Sequence, residues 1–432
     1  MVNARTEKTS TGVDWLGEIP KHWNVCSLKR VLSEPLKYGA TEAGDCDDHS
    51  LPRYLRITDF DNDGGLRADT FVSLPEEIAR NYYLTEGDVL FARSGATVGK
   101  TFLFRNYQGQ ACFAGYLIKA SPARHKLRPE FLYYFTKSLA YEAWKDFIFT
   151  QATIQNIGAD KYAYLPVCLP SIEEQQRIAA YLDASCASIN AAVAAKSRQI
   201  ETLEAIYQAS LHKALAIEDW PRERVKDVST KIGSGVTPEG GASGYLDEGI
   251  PLLRSQNIHF DGLRLDDVAF ISEETHAAMS NSQLRPRDVL LNITGASIGR
   301  CTYVPDDFGE GNVNQHVCII RGNHKIEHRF LSAFLSSPMG QGQVLSSFTG
   351  ASRQGLSHKE LGLISIPLPS IGVQRNVVAE LGRLKSQQKE VRDNIESQIE
   401  TLVAYRKSLI HECVTGQRRI SEADLNREKA HG

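Results

Sequence analysis

The amino-acid sequence predicts an α/β (α+β) chain that has been duplicated: two similar mixed heads joined by long antiparallel coiled-coil helices, with a pseudo-two-fold internal repeat. Three observations predict this. A strand–loop–strand segment occurs twice, 200 residues apart; the hydrophobic period changes from short β-type runs to a coiled-coil stripe at matched places; and no proline interrupts either striped segment.

The repeat is explicit in the residues. GDVLFARSGATVGKTFLF (Gly87 to Phe104) returns as RDVLLNITGASIGRCTYV (Arg287 to Val304), with Asp88 on Asp288. LPVCLPSIEEQQRIAAYL from Leu165 returns as ISIPLPSIGVQRNVVAEL from Ile364, with Pro170 on Pro369, and QIETL occurs at both Gln199 and Gln398. Upstream, YLRITDF from Tyr54 matches LLRSQNI from Leu252, and Trp23 before SLKRV matches Trp220 before RVKDV. The resulting division is a lead-in over 1–22, a first head over 23–169, a central helix over 170–218, a second head over 219–368, a C-terminal helix over 369–416 and a polar tail over 417–432.

Within each head, runs such as DVLFA, YLIKA, DVLLNI and HVCII are separated by Gly, Asn, Asp and Pro, the pattern of short strands. A helical insert is expected from Pro129 to Phe147, with its counterpart from Glu327 to Phe348. After each PSI the apolar residues fall at coiled-coil spacing: Ile178, Leu182, Ile189, Val193, Ile200, Leu203, Tyr207 and Leu211 in the first copy, and Val377, Leu381, Leu384, Val391, Ile395, Ile399, Leu402, Tyr405 and Leu409 in the second. Forty helical residues span about 60 Å, so two such helices in one chain would pair antiparallel as a rod carrying a head at each end.

Bulk composition narrows the function classes. The 432 residues are 42% hydrophobic and 23% charged, no stretch approaches roughly 18 uncharged apolar residues, and the polar start MVNARTEKTSTG lacks a secretory core, which together point to a cytoplasmic protein with no membrane partner. A formal net charge of −3 excludes coating nucleic acid by bulk charge while leaving local basic surfaces open. The eight cysteines are scattered without a C-x-x-C pair and read as free buried thiols, with no metal site.

Several motifs invite chemistry and fail. SGATVGKT (Ser94 to Thr101) has Ser where a P-loop needs Gly, and its second copy TGASIGRC replaces the Lys and Thr, so Lys100 and Arg300 read as surface cations. IGSGVTPEGG from Ile232 has Pro238 at the third glycine position of a dinucleotide fingerprint and reads as a flexible loop. His324 and His328 sit in a polar turn, and His411-Glu412 lacks a second His. There is no Pro-Pro dipeptide, so the Asn/Asp-Pro-Pro-aromatic loop with which amino-methyltransferases hold a flipped base is absent. No catalytic residue is assigned.

TGVDWLGEIPKHWNVCSLKRV (Thr11 to Val31), the paired GATVGK and GASIGR loops and the PSIEEQQRIAAYL helix start resemble the specificity subunit of type I restriction-modification systems, over essentially the whole chain. The resemblance implies two target recognition domains, each reading half of a split asymmetric DNA sequence, on helical spacers that set the distance between halves. It also implies two modification subunits and restriction subunits as partners, with S-adenosylmethionine, ATP and Mg held by those partners and no cofactor in this chain. PSIGVQRNVV has lost the Glu-Glu of the first helix start, so the two copies are not expected to meet partners identically. Two readings stand beside this one. A stand-alone DNA-binding or regulatory protein would lack a neighbouring methyltransferase gene, and a phosphate-handling enzyme would lose ATP binding on Lys100→Ala.

Base edges are read best by Arg on guanine and by Asn or Gln on adenine, with Ser and Thr more permissive. Candidates of these types in the first head are Arg53, Arg56, Thr58, Arg93, Ser94, Lys100, Thr153, Gln155 and Asn156. In the second they are Arg254, Gln256, Asn257, Asn292, Thr294, Arg300, Ser352, Arg353 and Gln354. The matched Arg56 and Arg254 suit a fold or phosphate role, because a residue shared by heads with different targets cannot tell them apart. Positions that differ, Arg93 against Asn292 (aligned to within one residue) and Thr153 against Ser352, suit base readout better. Glu173, Glu174 and Gln175 are the expected partner-facing residues, and charge reversal at the two glutamates should weaken co-purification with a modification subunit.

Overall fold

A computed structural model describes residues 7–44, 46–61, 64–150, 156–238, 241–348 and 355–431. The chain forms two compact units, one built from the chain up to Lys196 together with the stretch from Ser397 onward, the other from Ser197–Glu396. Each long helix, Ile172–Leu215 and Ile371–Val414, has 44 residues and begins in one unit and ends in the other.

The duplication is visible strand by strand. In the first unit a four-stranded antiparallel sheet runs in the order Lys37–Tyr38, Leu117–Ala120, Val89–Ala92, Thr101–Leu103. The second unit repeats that order with Ser229–Ser234, Val317–Gly322, Val289–Asn292 and Cys301–Tyr303. One inner strand of each sheet, VLFA and VLLN, is buried at all four positions, the polar Asn292 included. Ile232–Ser234 therefore belongs to an edge strand and not to a loop. A short parallel pair also recurs, Arg53–Leu55 on Ala111–Phe113 and Leu252–Leu253 on Asn312–Val313.

Two helices follow each sheet, Pro129–Phe135 and Leu139–Thr150 in the first unit, His328–Ser336 and Pro338–Phe348 in the second. Trp23 packs edge-on against Phe131, and Trp220 meets Phe330 in the same place.

The start of each long helix is locked by one buried amide. Gln175 Oε1 accepts from Arg128 N at 2.8 Å, while its Nε2 donates to Lys126 O and Pro170 O, both at 3.0 Å. Gln374 does the same with Glu327 N, Lys325 O and Pro369 O. Both are fully buried, because an amide with three backbone partners keeps no reason to meet water. Gln175 is thus a structural clamp, which corrects its assignment to a partner surface.

The apolar stripe closes an antiparallel helix pair inside each unit. Ile178, Leu182 and Ile189 share a core with Leu409, Ile410 and Cys413 in the first, and Leu211 and Leu215 share one with Leu381 in the second. Gln388 Nε2 donates to Leu203 O at 3.0 Å where apolar contact thins out. Two stripe positions depart from expectation: Val391 is 47% and Tyr405 49% exposed. By length and composition alone the helix Ile172–Leu215 contains a segment apolar enough to cross a membrane, which the residue pattern had not suggested; its alanines dilute rather than interrupt the stripe.

Six cysteines are buried and all eight are free, but Cys46 is exposed and Cys26 half-buried.

Candidate nucleic-acid interface

The paired glycine loops are hairpin turns. Gly95–Thr97 joins Val89–Ala92 to the antiparallel Thr101–Leu103, and the segment after the loop is a strand where a P-loop would have a helix. Gly95 and Gly99 have φ of 76° and 80°, and Gly295 and Gly299 have 76° and 85°, so both turns need left-handed backbone at both glycines. Each loop is tied to the helix behind it: Tyr141 Oη donates to Gly99 O at 2.9 Å, and Gln341 Nε2 to Gly299 O at 2.8 Å. Lys100 is exposed, whereas Arg300 is half-buried beside a cleft of about 980 Å³ shared with Tyr207, Phe260 and Leu381. Beneath the first loop, Lys137 donates to Thr101 O at 2.8 Å, and burial, then Lys100, push its pKa down to about 8.

The matched arginines serve the fold. Arg56 holds the buried Asp59 through Nε at 3.2 Å and Nη2 at 3.0 Å, and the Asp59 carboxylate also accepts from Arg56 N. In the second unit Asn257 Oδ1 accepts from Arg254 N at 2.9 Å, and Arg254 Nη2 donates to Asp267 O at 3.0 Å. Gln256 is exposed and paired with Asp267, and Thr58 is exposed.

Three candidates are corrected by burial. Arg53 is 6% exposed, donates to Arg67 O and lies near the rings of Phe71 and Tyr107. Asn257 is enclosed by Arg264 O and Asp267 O. Asn292 is fully buried, donating to Ser255 O at 2.8 Å and Ser297 Oγ at 3.1 Å. None of the three presents its polar group to an outside ligand.

The Arg93–Asn292 equivalence also shifts by one. Ala92 N donates to Lys100 O and Asn292 N to Arg300 O, while Arg93 N donates to Tyr116 O and Ile293 N to His316 O. Arg93 therefore faces Ile293 in register, and Asn292 occupies the place of Ala92. Thr153, Gln155, Ser352, Arg353 and Gln354 lie outside the described residues.

What remains of the candidates collects at one place in each unit. In the first, the Arg93 guanidinium lies 4.9 Å from the centre of the Tyr38 ring, Ser94 bridges the exposed Asn156, and Tyr116 is 68% exposed. In the second, Thr294 Oγ1 is 2.6 Å from His316 Nδ1, Gln315 Nε2 is 3.0 Å from His316 Nε2, and Thr237 Oγ1 donates to Gln315 Oε1 at 2.6 Å. Tyr38, Tyr116, Thr237, Gln315 and His316 were not singled out from sequence. For Tyr116, Gln315 and His316 the signal lay in FAGYLIKA against VNQHVCII, where the turn residues Gly115 and Tyr116 stand on Gln315 and His316.

Of the three partner-facing candidates, Glu173 is exposed and its pKa is lowered by its own backbone N–H and by Ser171. Glu174 is turned inward and accepts from Trp23 Nε1 and His22 Nε2, both at 3.1 Å.

The model of the type I restriction modification DNA specificity domain matches twice, over residues 37–202 and 218–401. The chain is 28% identical over 283 residues to the EcoBI specificity subunit of Escherichia coli, covering 59% of this chain and 58% of that one. It is 22% identical over 218 residues to the EcoKI specificity subunit of Escherichia coli strain K12, covering 50% and 46%. These matches span about half the length of the curated relatives. A chain from a solved structure of a type I restriction-modification system, described in terms of complex assembly and conformational transition, superposes with a TM-score of 0.72 at 18% identity, over 93% of this chain and 99% of that one. With the family model matched in both halves of the repeat and across most of the sequence, the chain belongs to the specificity subunits of type I restriction-modification systems.

Proposed function

We propose that this chain is the non-catalytic DNA-reading component of a type I restriction-modification assembly. Each unit binds one half of a bipartite, asymmetric duplex target, and the chain brings modification subunits that methylate adenine, and restriction subunits, to that target. One observation carries the reading: the two units share strand order, glycine turns and helix clamp, yet differ in the side chains at the same exposed turn cluster. A common scaffold with divergent tips suits two readers of different half-sites better than one repeated enzyme. On this reading S-adenosylmethionine, ATP and Mg belong to the partners, the assembly works in the cytoplasm, and Glu173 is the exposed carboxylate offered to a modification subunit.

The test is long-read mapping of methylated adenine in a host carrying this gene with an active modification subunit, and in the same host with this gene deleted. A split asymmetric motif that disappears on deletion is expected. An unchanged methylome would overturn the proposal in favour of a DNA-binding protein that works alone.

A further inference from the structure

The turn clusters around Arg93 and around Gln315 occupy equivalent positions and share almost no chemistry. Register places Tyr38 on Ser234, because Tyr38 pairs with Ile118 and Ser234 with Cys318, two residues 200 apart. By the same register Arg93 stands on Ile293, Ser94 on Thr294, Gly115 on Gln315 and Tyr116 on His316. A site that only holds phosphate is needed equally by both halves of a target and would keep its cation in both copies. Here the cation and its aromatic platform in one unit give way to the Gln315 amide and the His316 imidazole in the other, while a hydroxyl, Ser94 or Thr294, is common to both.

Both clusters are pre-arranged. Arg93 is pinned at both backbone groups, its N–H to Tyr116 O at 3.0 Å and its carbonyl accepting from Ile157 N at 2.9 Å. Its guanidinium rests by Tyr38, whose ring is fixed because its Oη accepts from Ala159 N at 2.9 Å. Among the described residues no carboxylate or carbonyl accepts a hydrogen bond from that guanidinium, so its donor fork is left for a planar pair of acceptors.

In the second unit the polarity of the network follows from its members. Gln315 Nε2 can only donate, so His316 Nε2 accepts and His316 Nδ1 carries the proton that it gives to Thr294 Oγ1. Thr237 donates to Gln315 Oε1. The Gln315 amide then keeps one N–H and one acceptor position, the pair that adenine N7 and N6 would take, and Thr294 keeps its hydroxyl proton.

We propose that these two clusters are the specificity-determining surfaces, with Arg93 reading a guanine in one half-site and Gln315, oriented by His316 and Thr237, reading an adenine in the other. The assignment rests on the DNA-reading function proposed above and adds residues and bases to it.

The test is selection from a pool of randomised duplex DNA by the full-length chain purified with a modification subunit, for the wild type and for Arg93→Gln, Arg93→Lys and Gln315→Ala. Arg93→Gln is expected to lose preference for guanine at one position of one half-site by roughly 10- to 100-fold and to leave the other half unchanged. Gln315→Ala should relax one adenine position in the opposite half only. Arg93→Lys keeps the charge but not the planar fork, so base readout predicts a weakened guanine preference and a phosphate contact an unchanged one. Equal weakening on all sequences, or an unchanged selected motif in a variant whose thermal midpoint matches the wild type, overturns the assignment while leaving the DNA-reading function standing. A wild-type complex that selects no motif overturns both.

Discussion

Gln175 ties the start of the first long helix to its head through a single side-chain amide. At the start of a helix, next to two glutamates, a glutamine looks like part of a polar face, yet its amide is fully buried on three backbone groups. Gln175→Leu keeps the volume and leaves Arg128 N–H and two carbonyls without a partner, so a loss of about 2–4 kcal/mol is expected, read as a lower urea midpoint with unchanged slope. The same blindness affected Arg53, Asn257 and Asn292, whose side-chain types suit base edges but whose backbones lie in or beside buried strands. Arg93 was legible because its type, its loop and its divergence between copies all agreed. Gln315 and His316 were harder to read: their divergence from Gly115 and Tyr116 is in the sequence, but the turn they occupy follows a strand of only two residues, Asn312–Val313.

Among the elements, the long helices were the most legible and their middles the least. A stripe at coiled-coil spacing states which residues face inward only while a partner surface is there to receive them. Near the helix ends that surface is a head core, and Leu182 is fully buried. At the middle of the second long helix the stripe residue Val391 is 47% exposed. Leu182→Ala should therefore cost about 2–5 kcal/mol, and Val391→Ala should stay within about 0.5 kcal/mol, a contrast measurable by parallel denaturant titrations. The strand order of the sheets was not readable at all, since the pairing of Leu117–Ala120 with both Lys37–Tyr38 and Val89–Ala92 is a long-range choice that local pattern does not encode.

For the molecule as a whole, the repeat was the decisive sequence signal, and the two units also differ in a way that alkali will expose. Burial pushes the Cys112, Cys168 and Cys413 thiols up to about 12 and Cys186 up to about 11 in the first unit, against Cys301 and Cys318, up to about 12, in the second. These thiols stay protonated in the folded chain while the unfolded chain ionises them from about pH 9, so each contribution is intact below that pH and is lost as pH rises toward the folded values. Each loses about 1.4 kcal/mol per pH unit once the unfolded thiol is ionised. Lys137, with its folded pKa lowered to about 8, acts in the opposite sense, gaining as pH rises through that value, but is one group against those four thiols and Cys26, which burial also raises. Pulsed alkylation with peptide mapping should therefore find Cys112 and Cys168 reactive at a lower pH than Cys301 and Cys318, and simultaneous labelling would contradict the asymmetry. The helix clamp carries a different consequence. Gln175 and Gln374 hold only main-chain atoms, which every sequence possesses, so the junction between head and helix is indifferent to what the head has become. A lineage could graft a foreign head onto either helix at this seam and inherit a new target without redesigning the joint.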